Sequence, residues 1–223
     1  MSKHILVAII FTLSLMLFSL SAQAVKLQIL HTNDLHGFLE STIIDKKLGG
    51  YYNIKRVFDK QTKLAKANNI ETLKFDGGDF SEGSIFYLSQ KGRRNFELMN
   101  LLGYDAAVLG NHDWLMGTEE LNNILKDVPP KYSLLAANLR PNSLIFPALS
   151  ETVKKYEIFE IGEIRIAVIG LITKEKFYEW RFDKCKILSP IKTAKKLAKR
   201  LKKNENVDFV FVLSHIGVLN DKK

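Results

Sequence analysis

The sequence predicts an α/β domain, on three observations. Short β-rich runs alternate with amphipathic helices. Four of those runs end in a polar cluster. One further pair of runs flanks Gly162-Glu163 as a hairpin. Residues 26–32 read as a strand ending in Asn33-Asp34. A helix over 52–67 follows, then a short strand over 72–75 running into Asp76-Gly77-Gly78-Asp79. Residues 95–102 are helical and stopped by Gly103, and 106–109 form a strand ending in Gly110-Asn111-His112-Asp113. The helix over 118–126 has Thr118 as its expected N-cap and Pro129-Pro130 beyond its end. Residues 133–137 are a strand, 155–161 and 164–172 the hairpin, and 209–213 an apolar strand ending in Ser214-His215.

Composition and charge narrow the function classes. Of 223 residues, 46% are hydrophobic and 26% charged, which excludes general disorder. One cysteine, Cys185, excludes a disulfide framework and any paired-cysteine metal or redox motif. The net charge of +9 has a local source. Nine basic residues and no acid lie between Lys184 and Lys203, and outside that stretch the chain is nearly neutral. Ser189-Pro190 reads as a helix start, and Ile191, Ala194, Leu197, Ala198 and Leu201 share one helical face. The stretch is therefore an amphipathic helix with a solvated lysine face. It has no interleaved aromatic residues for stacking on single strands, so no nucleic-acid partner is expected.

The first 24 residues read as an export signal. Lys3 and His4 precede an apolar run from Ile5 to Leu20, and Ala22-Gln23-Ala24 supplies a small-x-small cleavage pattern. The run falls short of the roughly 20 residues that span a bilayer. The expected organisation is a signal peptide over 1–24 and one domain over 25–223, periplasmic or extracellular, with no stable membrane anchor after cleavage.

The chemistry sits where strands end. Asp34-Leu35-His36, Gly78-Asp79, Gly110-Asn111-His112-Asp113 and Ser214-His215 each follow a strand, and ligands of open α/β sheets bind at the carboxyl ends of strands. Together they offer carboxylate, imidazole and amide oxygen, a donor set suited to divalent Zn, Mn or Fe.

In this order the motifs resemble the calcineurin-like metallophosphoesterases. More narrowly, several segments are similar to the bacterial 5′-nucleotidase and UDP-sugar hydrolase family: Ile29 through Gly37, Asp76-Gly77-Gly78-Asp79 with Gly83-Ser84, Met99 through His112, and Leu213-Ser214-His215. The resemblance implies an α/β/β/α sandwich and a site with two divalent metal ions. Asp34 and His36 would bind one metal, Asp79 would bridge both, and Asn111 and His215 would bind the second. A hydroxide held between the cations would attack a nucleotide or related phosphate ester. His112 would stabilise the transition state or assist the leaving group. Among the neighbours, His31 is expected to pack behind the site and Trp114 to pack in the core. Asn138 matches a family position near the site. Asp113 either supports the ligands or caps its loop. Gly49-Gly50 matches a glycine pair that opens a helix.

Two departures qualify what the resemblance implies. Many family members carry an aspartate three residues after the catalytic histidine, where this chain has Leu115. Leucine cannot accept a hydrogen bond from imidazole, so His112 is expected to lack its usual orienting partner. The family also continues to a Gly-His-x-His motif, giving one more histidine to each metal. The histidines here are His4, His31, His36, His112 and His215, and none can serve as that pair. The expectation is a domain incomplete at its C-terminus and a poor enzyme in this form. A catalytically dead remnant, a thiosulfohydrolase-like enzyme and a cyclic phosphodiesterase are the competing readings.

Overall fold

The computed structural model describes residues 25–41, 48–175 and 180–222, so the export signal read in residues 1–24 lies outside the described residues. Strands β1 (Leu27–Thr32), β2 (Glu71–Asp76), β3 (Ala106–Val108) and β4 (Ser133–Leu135) form one sheet in that order. Every pairing in it is parallel, from Leu27 opposite Glu71 to Val108 opposite Leu135. Parallel pairing requires crossovers. Here they run through α1 (Tyr51–Ala67), α2 (Ile85–Gln90), α3 (Arg93–Leu102) and α4 (Gly117–Asp127). After β4 come a two-residue strand β5 (Leu139–Arg140), α5 (Pro147–Thr152), β6 (Tyr156–Ile161) and β7 (Ile164–Ile172). The chain then passes through β8 (Lys186–Ile187), α6 (Pro190–Asn204), β9 (Phe209–His215) and α7 (Val218–Asp221). The second sheet has the order β6-β7-β9: β6 and β7 form the expected antiparallel hairpin, and β9 pairs parallel to β7. β5 and β8 form a small antiparallel pair of their own.

The sheets stack through β3 and β4 of the first against β7 and β9 of the second. The core between them contains Ala106, Val108, Leu134, Val168 and Leu213. β7 is central in its sheet and is buried without interruption from Ile166 to Ile172, as a strand covered on both faces must be. α1 covers the outer face of the first sheet, burying Tyr51, Phe58 and Ala65 at seven-residue spacing. α6 covers the second, burying Leu197 and Leu201 against Ala167, Ile169 and Leu171. The layers are thus α/β/β/α, as expected. Among the described residues no helix is long and apolar enough to cross a membrane.

Local signals explain most helix boundaries. Gly50 opens α1 at φ 79°, a conformation that glycine adopts without steric cost. Ser189 caps α6 by accepting from the Lys192 amide, and Pro190 occupies the first turn. Thr118 departs from expectation: α4 starts one residue earlier, at Gly117, after an N-cap at Met116. The Thr118 hydroxyl instead donates to the Arg181 carbonyl at 3.4 Å, tying the segment after β7 to this helix.

Candidate metal centre

The site begins as an extension of the first sheet. Beyond the last paired residues of β1 and β2, the two loops stay zipped: Asp34 N donates to Gly78 O at 2.9 Å, His36 N to Asp79 O at 2.9 Å, and Gly37 N to Phe80 O at 3.0 Å. Asp76, fully buried at the end of β2, pins their base. It accepts from Thr32 Oγ1 at 2.7 Å and from Gly78 N at 2.9 Å. Burial outweighs these hydrogen bonds and pushes its carboxyl up to about 8. Asp34, His36 and Asp79 all sit at positive φ, at 54°, 47° and 58°. Non-glycine residues rarely adopt that region, and such strain concentrates at functional sites.

The third loop closes on Asp79. Gly110 permits the approach, because a Cβ there would lie 1.9 Å from Asp79 Oδ1. The His112 amide donates to the same Oδ1 at 2.8 Å. Asp113 accepts from the amides of Gly110 at 2.8 Å, Ser81 at 3.0 Å and Asp79 at 3.1 Å. It therefore both caps its own loop and fastens that loop to the next. Burial, and then the charge of Asp79, push its carboxyl up to about 7.

Asp79 Oδ2 is the hub. His215 Nε2 lies 3.1 Å from it, His112 Nε2 3.9 Å and His36 Nε2 4.0 Å. His36 Nε2 is also 3.8 Å from Asp34 Oδ1. One donor atom from each of Asp34, Asp79 and His215 lies within 4.8 Å of the other two. His215 comes from the second sheet, and the Gly77 carbonyl at 2.8 Å from its Nδ1 turns Nε2 toward Asp79. Burial works against a charged His215, but the Asp79 hydrogen bond and charge prevail and raise it to about 9. The same contact holds Asp79 below the usual carboxylate range despite burial. Asn111 is buried beside the hub, and its carbonyl accepts from Arg181 Nη1 at 2.8 Å. Carboxylate oxygens from Asp34 and Asp79 and imidazole nitrogens from His36 and His215 come together here, a donor set that fits a divalent cation site.

A family model described as calcineurin-like phosphoesterase matches residues 27–222, nearly the whole chain. The chain belongs to the calcineurin-like phosphoesterase family. Among curated proteins it is 37% identical over 161 residues to a snake venom 5′-nucleotidase of Gloydius brevicauda, an alignment covering 70% of this chain and 27% of the relative. It is 30% identical over 211 residues to the 5′-nucleotidase of Rattus norvegicus, covering 91% of this chain and 36% of that one. Among solved structures, the NAD nucleotidase of Haemophilus influenzae superposes with a TM-score of 0.78 at 28% identity, covering 89% of this chain and 35% of that chain. The 5′-nucleotidase precursor of Thermus thermophilus gives 0.73 at 27% identity, over 87% and 38%. The chain thus spans well under half the length of these relatives.

The residues expected around a phosphoesterase centre divide into three groups. Asp34, His36, His112 and His215 come together around Asp79, and Asn111 is buried at the position before His112. Trp114 is buried and stacks edge-on to Phe182 at 4.7 Å between centroids, a packing residue as expected. His31 differs from expectation. β1 is an edge strand, so His31 is exposed and lines a groove with Asn33, Gly77 and His215 rather than packing behind the site. Asn138 is a buried clamp: its amide donates to the carbonyls of Ile172 at 2.9 Å and Leu188 at 3.2 Å, and its Oδ1 accepts from Ile172 N at 2.9 Å. Two residues that sequence reasoning missed complete the site. Glu82 Oε2 lies 2.7 Å from His112 Nδ1, and Arg181 Nη1 lies 3.3 Å from that same oxygen. His112 therefore has an orienting acceptor despite Leu115. Nothing in the linear spacing of Glu82 and Arg181 signals it.

Proposed function

We propose that the protein is an exported, divalent-metal-dependent hydrolase of nucleotide 5′-phosphate esters. The observation that carries this reading is the convergence of His36, His112 and His215 on Asp79 Oδ2. In this reading Asp34, His36 and Asp79 hold one cation and Asp79, Asn111 and His215 a second. When bound, such a pair supplies a nucleophile at neutral pH and neutralises charge on the phosphoryl oxygens.

The protein's own groups do the rest. Asp79 takes part in both sites because Gly110 and the His112 amide fix its Oδ1 while Oδ2 stays turned inward. The Gly77 carbonyl keeps the proton of neutral His215 on Nδ1, leaving Nε2 as the donor to a metal. His112 is not a ligand in this scheme. Its Nε2 faces the hub, where a donated hydrogen bond would offset charge developing on the phosphoryl or leaving-group oxygen. The preference for nucleotides is supported by the relatives named 5′-nucleotidase and NAD nucleotidase. Export is supported by the apolar run and cleavage pattern of residues 1–24.

The test is phosphate release from nucleoside 5′-monophosphates by the purified protein with manganese or zinc. The expected result is turnover that a chelator abolishes and added metal restores. Turnover indifferent to the chelator, or none with any divalent metal, contradicts the reading.

A further inference from the structure

Glu82 lies three residues beyond Asp79, and no sequence motif assigns it a role. Its position joins four parts of the site. Its side-chain Oε2 lies 2.7 Å from His112 Nδ1, and its backbone carbonyl accepts from His36 Nδ1. The two imidazoles held this way are 5.0 Å apart between centroids and nearly perpendicular, at 71°. Arg181 Nη1, 3.3 Å from Glu82 Oε2, also donates to the Asn111 carbonyl at 2.8 Å. Thus the residue that orients His112 is itself tied to the residue preceding His112.

The loop around Glu82 has little freedom. A Cβ on the next residue, Gly83, would lie 2.6 Å from His36 Cβ, and Gly83 has φ 144°. The backbone is therefore pressed against His36, which sets where the Glu82 side chain starts. The carboxylate then meets a partly desolvated environment: side-chain exposure is 23% for Glu82, 29% for His112 and 9% for Arg181. A carboxylate facing a buried arginine in a fixed loop is a more persistent acceptor than one on a mobile surface chain.

The geometry points to Glu82 as the positioning residue of His112, its carboxylate arriving from the loop after β2 and steadied by Arg181, in the role that Leu115 cannot fill. An acceptor at Nδ1 keeps the proton of a neutral imidazole there and aims Nε2 at the hub. The role of His112 in turnover rests on the proposed hydrolase function. The contact itself does not.

Two measurements on the full-length protein separate those layers. Nitrogen-15 NMR of the His112 ring needs no turnover. It should show the Nδ1–H form in the parent and tautomer averaging in Glu82→Leu, with Glu82→Gln, which keeps an oxygen acceptor and the side-chain shape, in between. Identical ring signals in the parent and both variants overturn the assignment. In kinetics, Glu82→Leu should lower kcat by about 10²–10⁴-fold, the span a positioned histidine supplies, with KM and metal content unchanged. Added to His112→Ala, it should cost nothing further, because both changes remove one function. An equal loss in the presence and absence of His112 would make Glu82 merely structural and overturn the proposal. Since the acceptor is already present, Leu115→Asp should change kcat by no more than about twofold; a large gain would show that His112 was unoriented, against the proposal. A Glu82-dependent tautomer in a protein with no phosphatase activity would uphold the contact and count against the hydrolase reading instead.

Discussion

The loops after β1, β2 and β3 carry Asp34, His36, Asp79, Asn111 and His112, whereas the second sheet sends His215, from the end of β9, to the same hub. The first sheet is wholly parallel, so its carboxyl ends lie side by side and their loops extend its hydrogen bonding up to Phe80. The second is mixed. Among the described residues its β6–β7 hairpin lends no group to the hub, and β9 contributes through its last residue. The difference shows what each architecture offers. Adjacent parallel strands gather chemistry from distant parts of the chain, while the hairpin mainly supplies a wall against which the other sheet packs.

If that division is right, the largest effect should come from the hub. Asp79→Asn should abolish turnover and leave about one equivalent of bound metal or less, because one residue serves both proposed sites. Two retained equivalents by elemental analysis would show that it bridges nothing. His112→Ala should reduce turnover about 10²–10⁴-fold with full metal content; loss of metal would make it a ligand. In the second half, Leu201→Ala opens a cavity under α6, where Leu201 is fully buried. Chemical denaturation should register a loss of about 2–5 kcal/mol, with turnover per folded molecule unchanged. A selective loss of turnover would mean that α6 does more than support the sheet.

The smallest expected effect is a pH dependence at the His215–Asp79 contact, which joins the two sheets at the hub. His215 is raised from 6.5 to about 9 in the metal-free protein. The stabilisation from its pairing with Asp79 is therefore complete below about pH 6.5 and is lost as pH rises through about 9. A metal must displace that proton. Calorimetry should show affinity for manganese rising about tenfold per pH unit from neutrality toward that value. A flat profile would remove His215 from the ligand set.

The hub was legible because its residues follow apolar runs that can only be strands, and their order along the chain carries the family resemblance. β7 and the start of α6 were readable for a related reason, since a continuous apolar run or a Ser-Pro start leaves few alternatives. α2 was not: Ile85 and Leu88 are exposed and only Tyr87 is buried, so it has no apolar stripe to read. The supporting residues were hidden for a different reason. Glu82 and Arg181 are 99 positions apart, and their meeting depends on the sandwich having closed. Asn138 matched a position near the site, yet its bonds to Ile172 and Leu188 are visible only once β7 and the start of α6 are in place.

In the proposed reading, both sheets build one metal centre. Anomalous diffraction from crystals grown with manganese tests it most directly. The expected result is two peaks about 3.5–4 Å apart astride Asp79, one against Asp34 and His36 and the other against Asn111 and His215. A single peak confined to the loops of the first sheet, with His215 still bonded only to Gly77 and Asp79, would contradict it.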